Sequence, residues 1–213
     1  MNWSDLYQFQ FGVKGEIMRM RLVWILAMVI TPLVAEGATI LGLGESELVK
    51  RVEVIAFGAV IGTEVQRDPD FGVYTRVLFE VYEGVLGPRK GTVLTVLVPG
   101  GKLPGGINST VSGAPRPRGG DRVFVYLQQR GEHYVPWGLA YGWLPVSKDG
   151  EGRLRVTRTL KGLSAMGMDG SQVDKRKLTL RDVLLEEHIV QVKKHLASKN
   201  SVPESSSEPG SVR

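Results

Sequence analysis

At 213 residues with 42% hydrophobic content, the chain has room for one good core and is too apolar for whole-chain disorder. It has no cysteine, which removes disulfides, thiolate zinc sites and cysteine nucleophiles together. Lys plus Arg exceed Asp plus Glu by 27 to 22, and this modest +5 charge, without a dense basic patch beside a reading element, argues against a nucleic-acid protein.

Residues 1–37 read as a leader with a signal peptide. Arg19 and Arg21 supply positive charge, Leu22 to Ile30 is an uncharged apolar run, and Thr31-Pro32 breaks it. Ala35 and Gly37 place small residues before a cut at Gly37/Ala38. The apolar stretch Leu22 to Ala35 is 14 residues, against about 20 for a membrane-crossing helix, so cleavage is expected and no stable membrane anchor remains afterwards. Asp5 and Glu16 suit an export leader poorly, and translation is expected to start at Met18 or Met20. The protein is thus expected in the periplasm or outside the cell.

Ser46 to Lys50 is either a short helical lead-in or the start of the first strand. From Val52 to Ile61 both alternating sets are mostly apolar, as in a strand buried on two sides. Arg67 to Gly72 is a turn into a strand from Val73 to Glu83, where Val77, Phe79 and Val81 share one face. Thr92 to Val98 forms a third strand. Residues 99–120, dense in Pro, Gly, Ser and Asn, form a long loop, either a binding surface or a covering flap. Val123, Val125 and Leu127 alternate in the next strand and are expected to pack against Val77, Phe79 and Val81. A hairpin leads to His133–Pro136, an extended segment runs from Trp137 to Val146, and Asp149–Gly152 turns the chain into Arg153–Thr157.

Five to seven closely spaced strands predict a mainly β domain over 38–160, a small antiparallel β-barrel or a sandwich. Residues 161–197 read as a basic, irregular linker and an amphipathic helix starting at Leu180, with Thr179 as N-cap and Asp182 in its first turn. Residues 198–213 read as a disordered tail.

Several segments within about residues 46–158 resemble a loosely defined group of uncharacterised exported bacterial proteins. They are Val52 to Val60, Tyr74-Thr75 leading to Phe79-Glu80-Val81, Gly84 to Gly87, Val98 to Gly101, Gly113-Ala114-Pro115, Gly119 to Leu127, and Gly138 to Gly142. The resemblance implies an OB-type barrel of the netrin-like kind and carries no activity. Gly87-Pro88 and Asp121 depart from the group's pattern at turn positions.

The sequence contains no G-x-S-x-G elbow, P-loop, G-x-G-x-x-G fingerprint or H-E-x-x-H helix. His133, His188 and His195 read as solvated side chains. His188 and His195 lie about 10 Å apart along a helix, too far to share a metal ion. Asp68 and Asp70 flank a turn proline and cannot alone satisfy calcium. Glu80 and Glu83 point to opposite faces of a strand. No cofactor is expected.

The aromatics are more pointed. Tyr134, Trp137, Tyr141 and Trp143 fall within ten residues, and in an extended chain the last three share parity. Such a row is either a stacking platform or core packing. With Asn108, which opens an Asn-Ser-Thr glycosylation pattern, these four form the candidate ligand surface. The expected function is an exported, non-enzymatic binding or structural protein of the cell envelope, partnered by an envelope or extracellular protein or glycan. The alternatives are a netrin-like enzyme inhibitor or peptide-binding module, and a hydrolase drawing on Asp68, Asp70, Glu80 or His133.

Overall fold

The computed structural model describes residues 37–69 and 72–200, with side chains to 198. The leader, the centre of the 67–72 turn and the tail after 200 lie outside the described residues.

The chain opens with β1 (Ala38–Leu41) and one helical turn, α1 (Glu45–Leu48). Two long strands follow, β2 (Val54–Asp68) and β3 (Gly72–Leu86), then β4 (Val93–Pro99). The 99–120 loop contains a small hairpin, β5 (Gly101–Lys102) with β6 (Asn108–Ser109). Next come β7 (Arg122–Arg130), β8 (His133–Pro136), a 3-10 turn (Leu139–Gly142), β9 (Trp143–Lys148) and β10 (Leu154–Arg158). The last part holds β11 (Leu163–Met166), α2 (Lys175–Leu178), β12 (Leu180–Leu184) and the long helix α3 (Leu185–Asn200).

Eight strands form one sheet in the order β12-β10-β9-β7-β2-β3-β4-β8. β8 also pairs with β7, so five strands curl round a shared interior. The contact bringing β8 to β4 is a single parallel pair, Val96 with Tyr134, and the sheet continues past β7 to end at β12. The small antiparallel OB-like barrel expected from the sequence is corrected by this finding: the sheet is mixed, has eight strands and is not closed into a barrel. Alternation assigns faces to strands, but it does not say which strands become neighbours.

The faces were well marked. Val77, Phe79 and Val81 of β3 and Val123, Val125 and Leu127 of β7 are buried in one cluster, with Val96 of β4 and Trp143 of β9. β2 serves two cores: Val54, Ala56 and Val60 enter this inner cluster, while Ile55 and Phe57 enter an outer one. The two chains approach so closely at Gly58 that a Cβ there would overlap the Glu80 carbonyl oxygen. The outer cluster joins Phe124 and Tyr126 of β7 to Leu48, Leu163, Ala165 and the α3 residues Leu185, Ile189 and Val192. That spacing of three and four residues gives α3 a stripe that docks on the sheet.

The helix starts later than the sequence signals place it. Leu180–Leu184 is a strand, pairing Val183 with Val156 and Leu184 with Arg155. Thr179, read as an N-cap, instead closes the end of α2, its hydroxyl donating to the Lys175 carbonyl at 2.8 Å. Pairing along the open side of β10 outweighs a local helix signal. The 161–177 stretch, read as irregular, contributes β11, which pairs in parallel with β1, Ile40 opposite Ala165.

Candidate functional site

A groove of about 1070 Å3 lies between β1 and the β7–β8 hairpin. Ile40, Leu97, Val135, Trp137 and Leu139 make it largely apolar, and Arg130, Glu132 and His133 stand at one end. The turn that presents Trp137 and Leu139 is firmly held. Trp137 N–H donates to the Tyr126 carbonyl at 2.9 Å, Ala140 N–H to the Gly113 carbonyl at 2.9 Å, and the buried Tyr141 hydroxyl to the Leu43 carbonyl. Gly138 and Leu139 both adopt the left-handed region, φ 56° and 60°. Glycine does this freely, whereas for leucine it costs about 1–2 kcal/mol. Strain of this kind collects at ligand-binding segments.

Two features leave the groove chemically open. β1 pairs with β11 on one edge, and no other strand pairs with it among the described residues. Nδ1 of His133 is buried without a hydrogen-bond partner among the described residues, an uncommon state for a polar atom.

The structure distributes the sequence's candidate residues over different places. Trp137 is half-buried and lines the groove. Tyr134 is half-buried against the inner core. Tyr141 and Trp143 are buried, at 0% and 4% exposure, so they offer no surface. The shared parity fails because the 3-10 turn at Leu139–Gly142 interrupts the extended chain. Asn108 is exposed on β6 and borders a separate pocket formed by the 99–118 loop. Among the described residues, no group of three His, Asp or Glu could hold a metal ion, and the groove that His133 lines is lined by neither Asp68 nor Glu80. Asp70 lies outside the described residues.

A buried charge network went unseen in the sequence. Arg158, 2% exposed, donates from Nη1 to Glu45 Oε2 at 2.9 Å and from Nε to the Tyr141 carbonyl at 3.1 Å. Its guanidinium lies 4.5 Å from the Tyr141 ring centre and 5.4 Å from that of Tyr126. The Tyr126 hydroxyl donates to Glu45 Oε1 and lies 3.0 Å from His188 Nε2. With the hydroxyl proton engaged, neutral His188 protonated on Nε2 completes the chain as donor.

Burial pushes Glu45 upward, but the Arg158 guanidinium, helped by the Tyr126 hydroxyl, outweighs it and holds the carboxyl below its ordinary value. Burial drives Tyr126 well above the ordinary phenol range and raises Tyr141. His188 falls to about 4, chiefly by burial, with Arg158 adding to it against the pull of Glu45. The solvated reading of His188 is therefore corrected: it is buried. The network's side-chain contacts span 62 positions from Tyr126 to His188, 81 from Glu45 to Tyr126 and 113 from Glu45 to Arg158, so no local spacing announces them.

No protein-family model, curated protein or solved structure matches this chain. The resemblance to exported netrin-like proteins accordingly has no homologue behind it, and the mixed, unclosed sheet overturns the fold it implied. Among the described residues, no helix is long and apolar enough to cross a membrane.

Proposed function

We propose that this chain is an exported, non-enzymatic binding protein whose ligand is an extended apolar segment of another envelope or extracellular polypeptide. One arrangement carries the reading: Trp137 and the strained Leu139 face an apolar groove walled by a strand with one edge unpaired among the described residues. An extended peptide beside β1 would satisfy backbone groups along that edge and place alternate side chains on the apolar wall. Arg130 and Glu132 at the groove end would set the direction of the bound chain. Export rests on the charged, apolar and small-residue pattern of residues 19–37.

The test uses protein recovered from an exporting host, whose intact mass should begin near Ala38. Synthetic nine-residue peptides alternating Val and Ser should shift the Trp137 fluorescence, and Trp137→Ala should weaken binding about ten-fold, the loss of a large buried aromatic anchor. Peptides with proline at alternate positions lack the donors for strand pairing and should not bind. Equal binding of the proline series would overturn the strand-addition reading, and a retained Leu22–Ala35 segment in a membrane fraction would overturn export.

A further inference from the structure

The 99–118 loop builds a second pocket, about 330 Å3 in volume, sharing only Pro99 with the apolar groove. Thr63, Val65 and Thr75 from β2 and β3 form its floor. The loop is tied down rather than draped. Gly100 N–H donates to the Val73 carbonyl at 2.8 Å, the buried Thr75 hydroxyl to the Gly100 carbonyl at 2.7 Å, and Leu103 N–H to the Ile107 carbonyl at 2.8 Å. Pro115 and Pro117 fix the backbone on both sides of Arg116. The Arg118 backbone N–H donates to Asp121 Oδ2 at 2.7 Å, which ties the end of the loop to the start of β7.

Lys102, Arg116 and Arg118 all line this pocket, and among the described residues no Asp or Glu does. None of the three makes an ion pair among the described residues. Three like charges around a small space repel one another, and an anion placed between them relieves that repulsion. Asn108, Ser109 and Thr110 also line it, adding one amide and two hydroxyls. These side chains accept hydrogen bonds as well as donate them. A bare inorganic anion uses donors alone, whereas a sugar hydroxyl uses both. The volume lies at the small end of ligand sites, about 300–1,000 Å3.

We infer that this pocket binds an acidic sugar, a single uronic acid unit of an anionic glycan, with its carboxylate among Lys102, Arg116 and Arg118 and its hydroxyls against Asn108, Ser109 and Thr110. The inference stands on residues separate from the peptide groove and does not depend on it.

The experiment is titration calorimetry on the exported protein with oligogalacturonate, a neutral gluco-oligosaccharide of equal length, and inorganic phosphate, at low and high salt. The oligouronide should bind, should weaken several-fold as salt rises because the cations are exposed, and should lose about ten-fold or more in affinity in the Arg116→Gln, Arg118→Gln double variant. Both arginines are exposed, so the variant should keep its thermal midpoint, and Trp137→Ala should bind the oligouronide unchanged. Absent oligouronide binding, equal binding of the neutral sugar, equal binding of phosphate, or an unaffected double variant would each overturn the inference.

Discussion

Acid should loosen this fold through one side chain. In the unfolded chain His188 titrates near 6.5. In the fold its ring stands edge-on to Phe124, with centres 4.9 Å apart, and faces Tyr126, Glu45 and Arg158. Burial and the Arg158 charge bring it to about 4. Glu45 Oε1, 3.9 Å away, pulls the other way, but that carboxylate is already engaged by Arg158 and Tyr126. Because the folded value is lowered, the unfolded chain takes up the proton first as pH falls. The stability contribution is therefore complete above about 6.5 and is lost between there and about 4. The full displacement corresponds to about 3 kcal/mol, of which about 2 kcal/mol disappears between pH 7 and pH 5. That is a large fraction of the about 5–15 kcal/mol that holds a domain folded. Glu45 titrates with the opposite ionic character: its lowered value keeps its contribution until pH falls below the ordinary carboxyl range. Urea unfolding at pH 7, 6 and 5 should show the wild-type loss, and His188→Gln should remove most of it. An unchanged pH slope in His188→Gln would refute the assignment.

Two further predictions concern packing. Glu45→Gln leaves the buried Arg158 guanidinium without its counter-charge and should cost about 3 kcal/mol, with Glu45→Gln, Arg158→Met together recovering part of it; a loss below about 1 kcal/mol by urea titration would show that the pair is dispensable. Gly58→Ala should lower stability by about 1–3 kcal/mol, since the new methyl overlaps the Glu80 carbonyl and comes within 2.7 Å of Phe79 Cζ; an unchanged thermal midpoint would mean that β2 and β3 separate at little cost.

How much of this was legible follows from what alternation encodes. The faces of β3 and β7 were readable, and the six residues expected to pack together do so. Sheet order was not. The parallel pairing of β1 with β11 joins residues about 125 positions apart, and Leu180–Leu184 pairs with β10 across some 28 residues. Nothing in the local pattern distinguishes Leu180-Arg181-Asp182-Val183-Leu184 as a strand from a helical first turn, so a capping signal at Thr179 prevailed in the reading and tertiary pairing prevailed in the fold. Asp182 takes φ 54° within that strand, which no spacing rule anticipates.

The candidate site shows the same division. Trp137 was identifiable as an aromatic beside a glycine, but extending its parity to Tyr141 and Trp143 required an unbroken strand, and Gly138 marks where the chain bends away. Polar chemistry was harder still, because Glu45, Tyr126, Arg158 and His188 meet only after four elements dock. Their environments also bear on whether they act or merely hold. A general acid or base works best with a proton affinity matched to neutral pH. Here burial and mutual contact move every member away from that range: Glu45 and His188 fall, while Tyr126 and Tyr141 rise. The hydrogen bonds bind α1, β7, β10 and α3 to one another. A cluster so arranged resists protonation change at neutral pH and clamps the helical side of the sheet, so its part is to hold the fold, and the groove and the loop pocket are the surfaces to test.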